Sequence, residues 1–184
     1  MMLRGFVVGI VVAIVVAVGV TFFAISNGLI PANADGKPSR FERWAARVSL
    51  RATLRREAPK APNPLPSSEA NIEAGIKLYG ENCIVCHGAR NHVPTNIAAG
   101  LFQRPPQLAR DGVEDDPDGV VYWKIAHGIR YTGMPAFVNS LSDEQIWQLV
   151  LFLKNMSKLP SHAQRAWDEL RNPVTLAPAR PASR

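Results

Sequence analysis

Cysteine is scarce in this sequence: the 184 residues contain two, Cys83 and Cys86. A structural zinc site normally needs four ligands, usually with a second Cys or His pair at similar spacing. His92 could be a third ligand, but no clear fourth follows. The sequence also lacks the pattern of parallel strands that frames a redox-active C-x-x-C pair. No further cysteine is available for a lipid anchor, and we find no internal repeat.

The two cysteines form a C-x-x-C-H motif, with His87 directly after Cys86. This run is typical of covalent haem attachment, because each thiol can add to one haem vinyl group. The histidine is then held beneath the ring, where its imidazole can ligate the iron. We therefore favour one haem c, bound through Cys83 and Cys86, over a plain disulfide.

A long apolar stretch lies near the N-terminus, and no residue from Gly5 to Ile25 is charged. These about 21 residues would span roughly 30 Å as a helix, which is the thickness of a bilayer core. The alternative is a signal peptide cleaved after Ala34, but the apolar region of a signal peptide is normally about 7–15 residues long. We therefore expect a retained transmembrane anchor.

The charges beside this stretch conflict with the haem motif. Arg4 stands alone on the N-terminal side, whereas Lys37, Arg40 and Arg43 follow the stretch. The positive-inside rule would place the C-terminal part in the cytoplasm, although long domains translocate largely regardless of charge. Haem attachment to C-x-x-C-H in bacteria takes place on the outer face of the membrane. We therefore expect a single-pass protein of the bacterial inner membrane, with its haem domain on the periplasmic face.

Composition divides the chain into five segments, and the net charge of +6 is uneven among them. Bases dominate the region after the apolar stretch and the C-terminal tail, whereas the region between them is slightly acidic. The predicted segments are a flank at 1–4, a transmembrane anchor at 5–26, a basic helix and Pro-rich spacer at 27–66, a haem domain at 67–160, and a basic tail rich in Pro, Ala and Arg at 161–184.

The basic segment contains a predicted helix from Ser39 to Arg56. Ser39 and Glu42 form a capping-box pattern at its start. One face is apolar, with Phe41, Trp44, Ala45, Val48 and Ala52, and another carries Arg43, Arg47, Arg51 and Arg55. Such a helix is either an ordinary solvated helix or an amphipathic helix on a membrane or a partner subunit. The prolines at 59, 62, 64 and 66 predict a stiff, extended spacer.

The haem domain is predicted to be all-α. Helical patterns run from Ser68 to Asn82, from Pro117 to Gly128, and from Ser142 to about Lys158, where Ser142 and Gln145 form a second capping box. An irregular loop follows His87, one or two helical turns lie around Trp167, and composition predicts disorder from Pro173 onward.

A haem iron with one histidine needs a sixth ligand, or it becomes a reactive site. Met134 is the candidate. It lies in a loop between Gly133, which lets the backbone bend, and Pro135, which stiffens it. A thioether is also a standard partner of histidine as a haem ligand. His127 and His92 are the rival ligands. Met156 lies on a helix at a spacing typical of core filling.

Residues from about Asn71 to Met156 resemble a class I mono-haem cytochrome c domain, and more narrowly its bacterial c6/cbb3-subunit-like branch. The resemblance is carried by Glu73-Ala74-Gly75 with Tyr79, the C-x-x-C-H run, the segment His127 to Phe137 and the segment Leu141 to Ile146. It implies an all-α fold in which the first and last helices cross near Gly75, Tyr79 and Phe152.

The resemblance also implies partners for the haem. A proline carbonyl would accept the Nδ1 proton of His87, and either Pro105 or Pro106 fits. Candidate partners of the haem propionates are Arg104, Trp123, Arg130 and Tyr131.

These observations predict a membrane-anchored electron-transfer cytochrome, not an enzyme. A haem with both axial positions filled binds no substrate, and we expect neither a small-molecule substrate nor nucleic acid. The expected partners are other electron-transfer proteins or subunits of a respiratory or similar membrane complex, either as a tethered carrier or as a fixed subunit. The alternative is a five-coordinate haem enzyme or gas sensor, if Met134 does not bind iron. A third possibility is a haem that acts as a structural staple.

Overall fold

The structure of the chain, a computed structural model, describes residues 2–90 and 95–171. The chain forms two compact units, Met1–Ala34 and Asp35–Arg184. Regular secondary structure in the described ranges is entirely helical, which confirms the all-α prediction. The disorder predicted from Pro173 onward falls outside the described residues.

Long helices match the predicted positions, and short ones occupy part of the expected irregular loop. In chain order they are α1 (Met2–Ser26), α2 (Arg40–Glu57), α3 (Glu69–Asn82), α4 (Ile84–His87), α5 (Asn96–Gly100), α6 (Leu108–Asp111), α7 (Asp118–His127), α8 (Asp143–Asn155) and α9 (Ser161–Glu169). α8 ends three residues earlier than the pattern predicts.

The first unit contains one apolar helix. α1 is unbroken, and its stretch from Leu3 to Ser26 is long and apolar enough to cross a membrane. None of this stretch is buried against other protein, so its apolar side chains need another environment.

Serine caps start the predicted helices where the sequence places them. In α2, Ser39 Oγ accepts a hydrogen bond from the Glu42 amide at 3.1 Å, and the Glu42 carboxylate accepts one from the Ser39 amide at 2.6 Å. Ser142 and Gln145 make the same reciprocal pair at α8. Each cap satisfies amides that have no partner inside the helix, and both capping boxes are confirmed.

The centre of the second unit is the crossing of α3 and α8. A Cβ atom at Gly75 would lie 2.3 Å from the carbonyl oxygen of Gln148 and 2.8 Å from Cβ of Phe152. Only glycine allows two helix backbones to approach this closely. The predicted crossing is therefore confirmed. The buried face of α8 includes Ile146, Leu149, Val150 and Leu153.

A cluster of three aromatic rings joins α9 to this crossing. Tyr79, Phe152 and Trp167 make edge-to-face contacts with ring centroids 5.2–5.4 Å apart, a favoured aromatic arrangement. Trp167 and Ala163 are both buried. The sequence divides the haem domain from the tail at residue 160, but α9 adds to the same core beyond that point.

The Pro-rich segment is attached to the haem domain along its length, whereas the sequence suggests an extended spacer. Asn63 donates from its backbone amide to the Asp118 carboxylate at 3.0 Å and from its side chain to the Trp147 carbonyl at 2.9 Å. A Cβ atom at Gly119 would lie 2.0 Å from the Pro59 carbonyl oxygen. Composition predicts the stiffness of this segment, but its attachment depends on partners more than 50 residues away.

We predict that Gly75→Ala destabilises the haem-loaded protein by about 1–3 kcal/mol, because the added methyl group forces α3 and α8 apart. Gly100→Ala is the control, since a Cβ atom there meets nothing within 4 Å, and it should change stability by less than about 0.5 kcal/mol. Guanidinium unfolding in detergent measures both. Equal stability of the two variants would show that the crossing tolerates a side chain.

Candidate haem site

The C-x-x-C-H motif forms a single helical turn directly after α3. Cys83 ends α3, with its amide bonded to the Tyr79 carbonyl at 2.9 Å, and also precedes α4. The amides of Cys86 and His87 both donate to the Cys83 carbonyl, at 3.1 and 2.8 Å. Residues three and four apart share one face of a helix. The turn therefore presents both thiols and the imidazole on the same side.

A hydrogen bond to Pro106 determines which His87 nitrogen is free. His87 Nδ1 lies 2.9 Å from the Pro106 carbonyl oxygen. A carbonyl can only accept, so Nδ1 carries the proton and Nε2 keeps its lone pair for a metal. Burial lowers the pKa of His87, and the bond to Pro106 opposes this effect in part. Of the two prolines that the sequence leaves open, Pro106 makes the bond.

Burial raises the pKa values of both thiols. They are not joined by a disulfide. Burial, and secondly the neighbouring Cys86, raises the pKa of Cys83 to about 12, and burial also raises that of Cys86. Dithiols that act as nucleophiles or redox catalysts have lowered thiol pKa values. The site therefore does not resemble a thioredoxin-like pair, while two thiols beside a free imidazole nitrogen fit covalent haem.

Hydrogen bonds from outside the motif hold the turn in place. The Tyr79 hydroxyl donates to the Gly88 carbonyl at 2.7 Å, and the Thr95 hydroxyl donates to the Val85 carbonyl. The Thr95 oxygen also accepts from the Ala98 amide at 3.1 Å and caps α5. Sequence reasoning missed Thr95, although a threonine before a short helical pattern is a cap signal.

Gln107 is a second residue that the sequence did not reveal. It is buried, and its side-chain amide donates to the Cys86 carbonyl at 3.3 Å. Its Oε1 has no hydrogen-bond partner among the described residues. No local pattern marks this glutamine, because its role depends on the loop after α5 returning to the motif.

Met134 lies in a loop that folds back on the end of α7. Gly128 has a φ of +65°, and a Cβ atom there would lie 2.6 Å from the Met134 carbonyl oxygen. The Ile129 amide donates to that carbonyl at 3.3 Å, and the Met134 amide donates to the Thr132 hydroxyl at 3.1 Å. Met134 is half-buried against the core. Met156 is buried in the core, as predicted.

The proposed propionate partners lie on three different segments of the domain. Arg104 is exposed and lines a groove beside α2. Trp123 is half-buried on α7, with its ring 5.0 Å from that of the rival ligand His127. Arg130 and Tyr131 are exposed in the Met134 loop, and Tyr131 is 89% exposed. Their role with the propionates stays a prediction, and the other rival, His92, lies outside the described residues.

Comparison with known proteins finds similarity over the segment that contains this site. The family described as cytochrome C oxidase, cbb3-type, subunit III matches residues 70–153. The domain is a class I c-type cytochrome. Cytochrome c6 of Parathermosynechococcus lividus is 29% identical over 84 residues, 46% of this chain and 88% of that protein. The quinohemoprotein alcohol dehydrogenase ADH IIB of Pseudomonas putida is 29% identical over 94 residues, which are 51% of this chain but 12% of the dehydrogenase.

The cytochrome domain carries covalently bound haem c, for which Cys83 and Cys86 supply the thiols. These matches support a c-type cytochrome domain that takes part in electron transfer. The attachment turn follows α3, the helix that crosses α8 at Gly75.

We predict that Thr95→Val destabilises the haem-loaded protein by about 1–3 kcal/mol, because the Val85 carbonyl and the Ala98 amide lose their partner. Thr95→Ser keeps the hydroxyl and should lose less than about 1 kcal/mol. Guanidinium unfolding followed by circular dichroism compares the two. If valine and serine are equally tolerated, the hydroxyl does not support the attachment turn.

Proposed function

We propose that the chain is a membrane-anchored c-type cytochrome that passes single electrons through a haem with His87 and Met134 as axial ligands. It would act as a subunit or tethered carrier of a respiratory or other membrane electron-transfer complex. The observation that carries this proposal is the hydrogen bond from His87 Nδ1 to the Pro106 carbonyl, which leaves Nε2 available to iron.

Each residue of the site has a distinct part in this proposal. Cys83 and Cys86 hold the haem, His87 ligates it on one side, and Pro106 fixes the tautomer and orientation of the imidazole. Haem supplies a one-electron iron couple when it is bound. With Met134 as the second ligand, no open position would be left for a substrate or a gas.

Support for Met134 comes from its loop and from the placement of Met156. The loop is shaped by Gly128 at positive φ and by the hydrogen bond from the Met134 amide to Thr132, which limits its freedom. Met156 fills the core between helices. A half-buried thioether in a constrained loop is what an axial ligand requires.

The membrane anchor is supported by α1. This helix is unbroken over a length that suits a bilayer and is longer than the apolar region of an ordinary signal peptide. The haem motif favours a domain on the periplasmic face of a bacterial inner membrane. The bases around 37–43 oppose this orientation but do not forbid it, since long domains translocate largely regardless of charge.

A partner complex is supported by the kinds of protein that share this domain. One match is described as a subunit of a cbb3-type oxidase, and another is a segment of a larger quinohemoprotein dehydrogenase. Both descriptions are of proteins in which the cytochrome is one part of an oxidoreductase. We propose a comparable role here, with the electron donor and acceptor supplied by other subunits or proteins.

Replacing Met134 with alanine should abolish the weak red absorbance band that Met–iron coordination gives in the oxidised protein. The midpoint potential should fall by on the order of 0.1–0.3 V, within the range that axial ligands set. Absorbance and potentiometric titration measure the two effects, and Met156→Leu is the matched control that should change neither. A Met134→Ala protein with an unchanged band and potential would exclude this residue as ligand.

Placing arginines in the middle of α1, as Val12→Arg with Val16→Arg, should remove the protein from alkaline-washed membranes. Each charge costs about 2.5–3.5 kcal/mol at the centre of a span. The control is Leu29→Arg with Ile30→Arg, which lies beyond the end of α1 and should leave the protein membrane-bound. Intact mass tests retention of the N-terminus. A soluble wild-type protein whose mass begins after Ala34 would contradict the anchor.

A further inference from the structure

An apolar stripe on α2 is exposed although the helix is well formed. Phe41, Trp44 and Val48 are 71%, 60% and 47% exposed, and the rings of Phe41 and Trp44 lie 5.7 Å apart. Together these three residues, which we call the α2 stripe, form a continuous apolar surface. These residues belong to the apolar face that the sequence predicts for this helix. Within the second unit, no other part of the protein covers the α2 stripe.

A row of arginines lies beside the α2 stripe. Arg43, Arg47, Arg51 and Arg55 recur every fourth residue and are exposed. Arg43 and Arg47 line a groove of about 230 Å³ together with Arg104, from the loop after α5. In the described parts of the chain, none of these three guanidinium groups is paired with a carboxylate. The groove is therefore a positively charged concavity beside an apolar surface.

The helix that carries these groups is fixed to the cytochrome domain. Leu54 and Ala58 are buried, and α2 contacts α7. The following chain continues this attachment, because Pro59 packs on Gly119 and Asn63 bonds to Asp118. This attachment leaves Phe41, Trp44, Val48 and the four arginines of the row exposed. Their orientation is set by packing, not by a flexible linker.

We propose that α2 is an interfacial helix that binds the surface of an anionic phospholipid bilayer. The α2 stripe would enter the boundary of headgroups and acyl chains, and Arg43 and Arg47 would bind lipid phosphates in the groove. Apolar residues with arginines on the adjoining face are typical of helices that lie in the membrane interface. The inference rests on the proposed anchor, because residues 27–39 can separate α2 from α1 by at most about 45 Å.

A lipid surface fits this region better than a protein partner does. Guanidinium groups pair with phosphate in two parallel hydrogen bonds, and an anionic leaflet supplies phosphates next to apolar chains. The phosphates would match the charged groove, and the neighbouring acyl chains would match the α2 stripe. Because α2 is fixed to the cytochrome domain, its binding would also fix the orientation of that domain on the membrane.

The test measures how fast single introduced cysteines react with a neutral polyethylene-glycol maleimide in the full-length, haem-loaded protein. Cys83 and Cys86 are the native cysteines, and haem attachment consumes both, so one added thiol reports alone. Val48→Cys probes the α2 stripe. Ser49→Cys lies one residue on, about 100° around the helix, and Val15→Cys probes α1. Nanodiscs contain phosphatidylcholine with or without about 30% phosphatidylglycerol.

In anionic nanodiscs, position 48 should react several-fold more slowly than position 49, and the difference should shrink in neutral nanodiscs. Arg43→Gln and Arg47→Gln together should abolish the protection of position 48. The matched control, Lys77→Gln with Lys158→Gln, removes two exposed charges elsewhere and should leave the protection intact.

Three results would overturn the proposal. Position 48 could react as fast as position 49 in anionic nanodiscs while position 15 stays protected, which leaves the anchor intact but the stripe off the membrane. The protection of position 48 could be equal in neutral and anionic nanodiscs and unaffected by the arginine substitutions. Protection could also occur in native membranes but not in lipid alone, which would identify a protein partner. Reactivity at position 15 would instead show that the anchor fails.

Discussion

The close contact of α3 and α8 at Gly75 is the constraint on which the cytochrome domain depends. The carbonyl oxygen of Gln148 occupies the space that any side chain at residue 75 would need. This approach brings Tyr79 against Phe152 and leaves the pocket that Trp167 of α9 fills. Because α3 runs directly into the C-x-x-C-H turn, the position of the attachment site follows from where the two helices cross.

The haem site combines a local motif with contacts that arrive from distant parts of the chain. The spacing of Cys83, Cys86 and His87 within one helical turn is enough to place them on the same face. The direction of the imidazole depends on Pro106, and the carbonyls of the turn are bonded by Thr95 and Gln107. The motif thus explains which group binds, and the surrounding loops explain how it is held.

The region before the cytochrome domain is an integrated part of the second unit. Leu54 and Ala58 of the α2 region are buried, and the prolines that follow are held against α7 and α8 by Asn63. A stiff segment of this kind transmits the orientation of α2 to the domain. An electron-transfer protein benefits from a fixed orientation, because it limits the set of encounters with a partner.

Sequence reasoning succeeded where the signal is local. The serine caps, the helical periods and the apolar span each depend on residues within a few turns of one another, so their outcome does not need the rest of the fold. The same reasoning could not find Thr95 or Gln107, and it described the Pro-rich segment as a spacer, because those contacts join residues distant in sequence.

The amino-acid sequence by itself determined the helices, the covalent attachment chemistry and the presence of an apolar span. Only the tertiary structure decided that Pro106 rather than Pro105 bonds to His87, that α9 belongs to the core, and that the apolar face of α2 stays exposed. The physical reason is that helix formation and capping are governed by neighbours along the chain. Burial and long-range hydrogen bonds are governed by which surfaces the folded backbone brings together.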